Sequence, residues 1–525
     1  MTSLWTATDL TDESQPTPTS RYEGVVDPGE RFDAAVVGAG ITGLATALML
    51  VRGGLRVVVL EADRVAALAS GLNTGKATVL QGSTLQRIRG SHSARVTRGY
   101  AEANLDGQRW IAEFCDHHGV PVSIETAYSY ARTEAGLRTV DREVAAAQEA
   151  GLPVERVDRL DVPFPFSGAA ALPGQLGLDP YRLAVAMARA VVAEGGVLLE
   201  GMRVHDVDAS RPVALRTRRG VVHADVAVIA TAAPVMLRGL YWAKTSHNRS
   251  YLTSYRVPET TAEALPSGLF ISVDDPTRSV RTTPDPESDA APPMLLVGGN
   301  GHPVGRVPSN EERVQELIDW TGRFFPGAQL THRWAAQDYT SDNLVPFVGK
   351  MPRGRGRIWM ATGYAKWGLT NGAAAAIRIS DEILGVPWIQ RRPWIKVLGT
   401  RVTAPADHAR GVAEGARVAA LIASGYTRAQ LHPAPARQPA EGEGVVVSRG
   451  GVPYGVSTVD GVTCAVRAVC THLGGPLRWN DAEHTWDCPL HASRFTASGT
   501  RIEGPAVEDL PREPRTPADE ASAPS

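Results

Sequence analysis

Two short stretches constrain this chain more than any other part of it: Cys470-Thr471-His472-Leu473-Gly474-Gly475 and Cys488-Pro489-Leu490-His491. They read C-x-H, fifteen residues, then C-x-x-H, so each carries one thiol and one imidazole. A fold that uses all of them must bring two loops face to face. A tetrahedral zinc site would answer to the residue types. Zinc folds, however, usually place paired cysteines on one turn and paired histidines on another, and here each loop mixes the two.

The flanks narrow the choice. Apolar residues at 444–448, 452–456 and 463–469 predict short strands of a small β-sandwich. Ser493-Arg494-Phe495 follows the second loop. Together, residues 441–512 resemble a Rieske [2Fe–2S] domain. In such a centre one iron takes both cysteines and the other both histidines. The resemblance therefore implies Cys470, His472, Cys488 and His491 as ligands. Rieske proteins of quinol-oxidising complexes carry a disulfide where Gly475 and Leu490 stand here, so that staple is absent. Ser493 keeps a hydroxyl that in those proteins donates to the cluster sulfurs, Phe495 replaces a donating Tyr, and Ala492 replaces a usual Gly. Fewer donors stabilise the reduced cluster less. This predicts a potential in the lower or middle part of the roughly −150 to +300 mV Rieske range.

A second constraint lies at 33–61. Residues 33–37 form a short apolar run, Gly38-Ala39-Gly40-Ile41-Thr42-Gly43 follows, 44–51 is apolar at helical length, and 56–60 is another apolar run ending at Glu61. The glycines permit a tight turn and let backbone approach a pyrophosphate, while the helix N-terminus supplies amide donors and a favourable dipole. Glu61, about twenty residues on, suits the ribose hydroxyls. The pattern predicts a dinucleotide-binding βαβ unit, with Gly38, Ala39, Gly40, Ile41, Thr42, Gly43, Glu61 and Ala62 against the cofactor. Interruption by glycine and arginine argues against a membrane span there.

Further motifs indicate which dinucleotide. Thr74-Gly75-Lys76-Ala77-Thr78, Met202-Arg203-Val204, Ala230-Thr231-Ala232, Asp342-Asn343-Leu344-Val345-Pro346 and Gly363-Tyr364-Ala365-Lys366-Trp367-Gly368-Leu369-Thr370 stand along the chain. They resemble segments of FAD-dependent oxidoreductases of the D-amino-acid oxidase and glycine oxidase superfamily, over residues 31–385. The resemblance implies an α/β, Rossmann-like FAD-binding domain with an interleaved antiparallel-sheet substrate domain, followed by the small all-β Rieske domain. It also implies FAD contacts from Thr74, Lys76, Ala77, Thr78, Val204, Ala230, Thr231, Gly363, Gly368, Leu369 and Thr370. The order flavoenzyme, linker, Rieske resembles a bacterial group of FAD-dependent oxidoreductases with a C-terminal Rieske domain.

The remaining stretches are expected to connect. Residues 1–30 read as a loose N-terminal arm, 386–440 as an aromatic and basic strap, a helix and a Pro-rich linker, and 513–525 as a disordered tail. The net charge of −2 gives no reason to expect nucleic acid or an anionic membrane as partner. Four cysteines are too few for a disulfide scaffold, and the first thirty residues lack a signal-peptide apolar run, so a cytoplasmic protein is expected. Cys115-Asp116-His117-His118 reads as a helix end stopped by Gly119 rather than as metal ligands.

In the superfamily an amine or amino acid gives up its α-hydrogen as hydride to the flavin. Such transfer needs orientation, an unprotonated amine and a dry pocket, so no catalytic acid or base need show in the sequence. Lys366 and Trp367, inside a flavin-facing motif, and His302 are the candidates. FAD holds two electrons and a Rieske centre accepts one. The expected activity is thus a dehydrogenase of a small amine or amino acid, its electrons leaving singly through the cluster to an external protein or quinone-like acceptor. A nicotinamide-dependent reductase would need a second nucleotide motif, and a Rieske oxygenase a further iron site with two His and a carboxylate in a large domain after the cluster; neither pattern is found. The alternative is a reductase, electron-carrier or redox-sensing flavo-iron–sulfur protein feeding a partner. Recognition of a substrate carboxylate would ask for a bidentate Arg, and no particular Arg can be assigned to it from sequence.

Overall fold

The computed structural model describes residues 1–7, 30–233, 236, 238–262, 264–286, 291–399, 405–431 and 438–512. The chain divides into two compact units, one of residues 1–301 and 313–410, the other of 302–312 and 411–525.

The first unit is built on two sheets. In one, the strand order is Phe347–Lys350, Ile358–Thr362, Gly220–Ile229, Arg31–Val37, Val57–Leu60, Val197–Leu199. All neighbours pair parallel except the first two, which are antiparallel. Val57–Leu60 is buried at every position, which is why it reads as an unbroken apolar run: both faces of a parallel sheet are covered. The helices Ile41–Arg52 and Gly368–Ile383 pack together over this sheet, with Leu44, Leu48, Ala373 and Ala376 in one core.

The other sheet runs Gln329–Ser341, Thr245–Arg256, Met294–Pro303, Arg278–Thr283, Leu269–Ser272, Val122–Ala131, Gly168–Leu178, Lys76–Ala77. An antiparallel sheet was expected here, and its strands pair mostly antiparallel. One pair departs from this: Leu269–Ser272 lies parallel to Val122–Ala131. These strands are far apart in the chain, so no hairpin turn dictates their direction.

The helix end expected at Gly119 belongs to Ala94–His118, which follows the shorter helix Thr84–Ser91. Gly119 ends the longer helix with φ 64°, its N–H bonded to Cys115 O. Burial pushes the Cys115 thiol up to about 12, which leaves it inert. The arm at 1–30 is not loose where it is described. Leu4–Ala7 is a short helix, Leu4 and Trp5 join the core, and Trp5 Nε1 donates to Asn73 O at 2.8 Å. Two apolar side chains with an aromatic anchor bury enough surface to order a terminus. The strap splits: Trp394 and Ile395 pack with Ala103, Ala374 and Ile377, whereas Trp388 and Ile389 are exposed. Among the described residues, no helix is long and apolar enough to cross a membrane.

The second unit holds two antiparallel sheets. One is Gly444–Arg449, Val452–Val459, Val462–Arg467; the other is Arg478–Asn480, Thr485–Asp487, Arg494–Thr496, Arg501–Glu503. Val466, Leu477, Trp486, Leu490, Phe495 and Leu510 form its core. The helix expected between strap and linker is Pro405–Leu431, and its Val418, Leu421 and Ile422 cover that core. Residues 302–312 belong to this unit by contact. Arg306 Nε donates to Pro489 O at 2.8 Å, and Asp481 accepts from Ser309 Oγ and the Asn310 amide, both at 2.7 Å. Most of the expected arm (8–29), most of the Pro-rich linker (432–437) and the expected tail (513–525) lie outside the described residues.

Candidate active site and metal centre

The glycine turn after Arg31–Val37 has the geometry its motif requires. Gly38 takes φ 104°, and a Cβ on it would lie 2.6 Å from Ala230 O. A Cβ on Gly40 would lie 2.7 Å from Ser70 Oγ, and one on Gly43 would run into Gly38 O. Only glycine fits at Gly38 and Gly43, where backbone is met; at Gly40 the Ser70 hydroxyl would have to turn away. Ile41 N, at the helix start, donates to Ser70 Oγ at 3.0 Å. Ala39 N donates to Glu61 Oε2 at 2.7 Å and Asp63 N to Oε1 at 2.9 Å, so Glu61 is locked beside the turn. Burial raises the Glu61 pKa, and the amide donors oppose that rise.

Beside the turn the first unit has a cavity of about 1360 Å³, part of it open to solvent. Gly40, Ile41 and Thr42 line it from the turn, and Ala230, Gly363, Gly368 and Leu369 from neighbouring segments. Ser250, Ser279, Gly298 and Ala336 line it from the second sheet, where small side chains leave room. Two glycines, Gly298 and Gly299, lie inside the strand Met294–Pro303 and line the cavity. A Cβ on Gly299 would lie 2.5 Å from Thr277 O.

Not every expected cofactor contact reaches the cavity. Thr74 and Lys76 line it, but Lys76 Nζ donates to Phe270 O at 2.6 Å and Ser279 Oγ at 2.5 Å. Burial, with repulsion from Arg281, lowers Lys76 to about 7. The side chains of Ala77, Thr78, Val204, Thr231 and Thr370 are directed to protein partners. Thr78 Oγ1 bonds Leu80 O, Thr231 Oγ1 bonds Ala233 O, Thr370 Oγ1 bonds Asn104 Oδ1, and Val204 sits in the core. Lys366 and Trp367 do line the cavity. Ala365 (φ 50°) and Lys366 (φ 76°) are consecutive non-glycine residues in the left-handed region, a strain that clusters at functional turns. Lys366 Nζ donates to Ser250 Oγ at 2.9 Å. His302 belongs to the second unit, buried and 3.1 Å from Asn310 Oδ1, and does not line the cavity. Sequence reasoning missed Asp338, Ser250 and Tyr364, whose hydroxyl lies 3.0 Å from Thr42 Oγ1.

In the second unit the two loops meet as their residue types demand. Cys470 and Cys488 share a thiol hydrogen bond, and Ser493 donates to Cys470. The amides of His472 and Leu473 point at Cys470, those of Leu490 and His491 at Cys488. The His472 and His491 rings stand 5.2 Å apart, nearly perpendicular. Burial lowers His472 to about 4 and His491, which also faces His472 and Arg306, to about 3. Both imidazoles are thus neutral at pH 7, as metal ligation requires. Thiols paired on one side and imidazoles on the other fit a binuclear cluster with two protein ligands per iron. Such a cluster needs no three donors around one ion, and none are found among the described residues. Ala492 adopts φ 59°, so the replacement of a usual glycine leaves the turn strained. A Cβ on Gly475 would lie 2.5 Å from Leu490 Cδ1: the two positions without a disulfide are in van der Waals contact instead. A Cβ on Gly504 would collide with Ser493 Cα and lie 2.7 Å from Ala492 O, a close approach that nothing in its neighbourhood of sequence announces.

Known proteins agree with both sites. Residues 33–382 match the family of FAD dependent oxidoreductases, and residues 431–514 match the Rieske [2Fe-2S] domain. YhfW of Bacillus subtilis (strain 168), described as a Rieske 2Fe-2S iron-sulfur protein, is 27% identical over 486 residues, 91% of this chain and 92% of its own. Gamma-glutamylputrescine oxidoreductase of Escherichia coli (strain K12) is 23% identical over 378 residues, covering 67% of this chain and 84% of its own. The crystal structure of glycine oxidase from Geobacillus kaustophilus superposes with a TM-score of 0.55 at 19% identity, over 67% of this chain and 94% of that one. The glycine turn with its locked Glu61 suits FAD and the four-residue site suits the [2Fe–2S] cluster, and with the family match over most of the length the chain belongs to the FAD dependent oxidoreductases, with a Rieske [2Fe–2S] domain following the flavin domain.

Proposed function

We propose that this enzyme oxidises a small amine or amino acid in the cavity of its first unit and delivers the electrons singly, by way of its Rieske site, to an external acceptor. When bound, FAD supplies a two-electron hydride acceptor and the cluster a one-electron carrier. The observation that carries the reading is the cavity itself: one wall is the glycine turn, the other a sheet face kept open by Ser250, Ser279, Gly298 and Ala336. That leaves space for a small molecule beside the cofactor. The related proteins are named for gamma-glutamylputrescine and glycine, both amines.

The chain's own residues do three things in this scheme. Gly38, Gly40 and Gly43, with the helix N-terminus beside them, would hold the pyrophosphate, and Glu61 the ribose. The Gly363–Gly368 turn, with Lys366 held to Ser250, orients groups over the cavity. Cys470, Cys488, His472 and His491 would hold the cluster, the imidazoles forming the exit edge.

Mixing holoenzyme anaerobically with a panel of amines and amino acids tests this. Bleaching of the flavin absorbance by at least one of them, followed by the electron-spin resonance signal of a reduced cluster, is expected. A Cys470→Ser, Cys488→Ser variant should still bleach but turn over far more slowly with any acceptor. If that variant used oxygen as fast as the wild type used its best acceptor, the dehydrogenase reading would fail. If no amine or amino acid bleached the flavin, the electron-carrier reading would replace it.

A further inference from the structure

Resting on the amine-oxidising reading above, we infer that the cavity binds its substrate as a cation, through the carboxylate of Asp338, and not through a substrate carboxylate. Asp338 lies on Gln329–Ser341, directly opposite Asn248 on Thr245–Arg256, with Ala336 opposite Ser250 in the same ladder. In an antiparallel pair, opposed residues share a face, as do positions two apart. Asp338 therefore stands on the same face as Ser250 and Ala336, and all three line the cavity.

Its carboxylate is only partly satisfied. Oδ2 is buried and has no hydrogen-bond partner. A buried carboxylate oxygen without a donor is costly, and a donor on a ligand removes that cost. Thr340 supplies the carboxylate one hydrogen bond and Lys366 acts on it by charge, but the hydrogen bonds seen from the cavity's lysines go elsewhere. Lys366 Nζ is given to Ser250 Oγ, and Lys76 Nζ to Phe270 O and Ser279 Oγ. Desolvation raises Asp338 to about 6, with the Lys366 charge and a Thr340 hydrogen bond opposing, and an arriving ammonium ion would favour the carboxylate further.

The rest of the lining points the same way. Asp338 is the one acidic side chain among the described residues that line the cavity, and no arginine is among them. Recognition of an α-carboxylate favours a planar, bidentate guanidinium. The nearby buried Arg281 is committed to the carbonyls of Thr74, Gly75 and Leu178. The substrate class that fits is an amine with a second, protonated nitrogen: that ammonium sits on Asp338 while the reacting amine is left free to be neutral.

The test uses two isosteric ions that cannot be oxidised at the amine carbon, tert-butylammonium and pivalate, titrated into oxidised holoenzyme and followed by the flavin difference spectrum. Tert-butylammonium should bind and pivalate should not. Asp338→Asn should weaken the ammonium ion on the order of 10- to 100-fold, the scale of a lost charge-assisted hydrogen bond, with the flavin spectrum intact. In the anaerobic panel, diamines should bleach wild type at lower concentration than α-amino acids. Equal binding of pivalate, or an ammonium affinity unchanged by Asp338→Asn, would overturn the cation site even if amines bleach the flavin. Asp338-dependent ammonium binding in a protein that no amine bleaches would uphold the cation site and remove the dehydrogenase reading.

Discussion

Replacing Arg494 by Met is the sharpest single test of how the cluster loops are held. Arg494 begins the strand Arg494–Thr496, three residues after His491. Its guanidinium reaches Glu503 at 2.9 Å and Glu483 and Asp487 at 3.1 Å, and it also donates to Thr485. All four charged side chains are at most a tenth exposed. Breaking one buried pair costs about 3–5 kcal/mol. Here the remaining carboxylates would also repel one another, and each could escape only by taking up a proton. For an ordinary Glu at pH 7 that costs about 4 kcal/mol. The loss should therefore be at least about 4 kcal/mol at pH 7, against a typical domain stability of about 5–15 kcal/mol. Denaturant unfolding of holoenzyme separates the units: visible circular dichroism reports the cluster and released-flavin fluorescence the first unit. The cluster transition should collapse and the flavin transition should stay. The variant should also recover on acidification. Its unpaired carboxylates would have folded pKa values above the unfolded ones, so the native state binds extra protons and stability falls as pH rises through that window. A variant whose cluster transition stayed within about 1 kcal/mol of wild type at pH 8 would refute the argument, since the surface-pair scale would then apply.

Three further outcomes are expected. Glu143 accepts from the Leu85 and Gln86 amides at the start of Thr84–Ser91, and burial pushes it up to about 8. A carboxyl raised in the fold contributes stability at low pH that is lost as pH climbs from about 4.5 to 8; in Glu143→Gln the melting temperature should vary less between pH 5 and 8, and parallel curves would count against it. Glu61→Ala should lower FAD retention on the order of 10-fold or more, read by flavin fluorescence in the filtrate, because Ala39 and Asp63 lose their acceptor and the ribose its partner. Phe495 is fully buried with no hydroxyl to offer and Ser493 is the side-chain donor at Cys470, so redox titration should place the cluster in the lower or middle part of the roughly −150 to +300 mV range, and a value near the top would contradict that.

The Rieske domain and the dinucleotide turn were legible because their motifs are local. Ligand chemistry dictates residue types at short spacing, as in Cys470-Thr471-His472 and Cys488-Pro489-Leu490-His491. The turn demands glycine wherever a Cβ would strike backbone, as at Gly38 and Gly43. The long helix ending at Gly119 was legible for the same reason, since a left-handed residue stops a helix wherever it stands. What was not legible is pairing across distance. Alternation along Gln329–Ser341 puts Asp338 and Ala336 on one face, but says nothing of which face meets the cavity; that follows from pairing with Asn248 and Ser250, nearly a hundred residues earlier. The placement of His302 was not legible either: contacts of 302–312 with Asp481 and Pro489 put it in the other unit. Sequence alone determined which cofactors this protein is built around, since their chemistry selects residues within one turn or loop. Only the tertiary structure decided which side chains face the substrate, since that depends on the strands and loops the chain brings together from far apart.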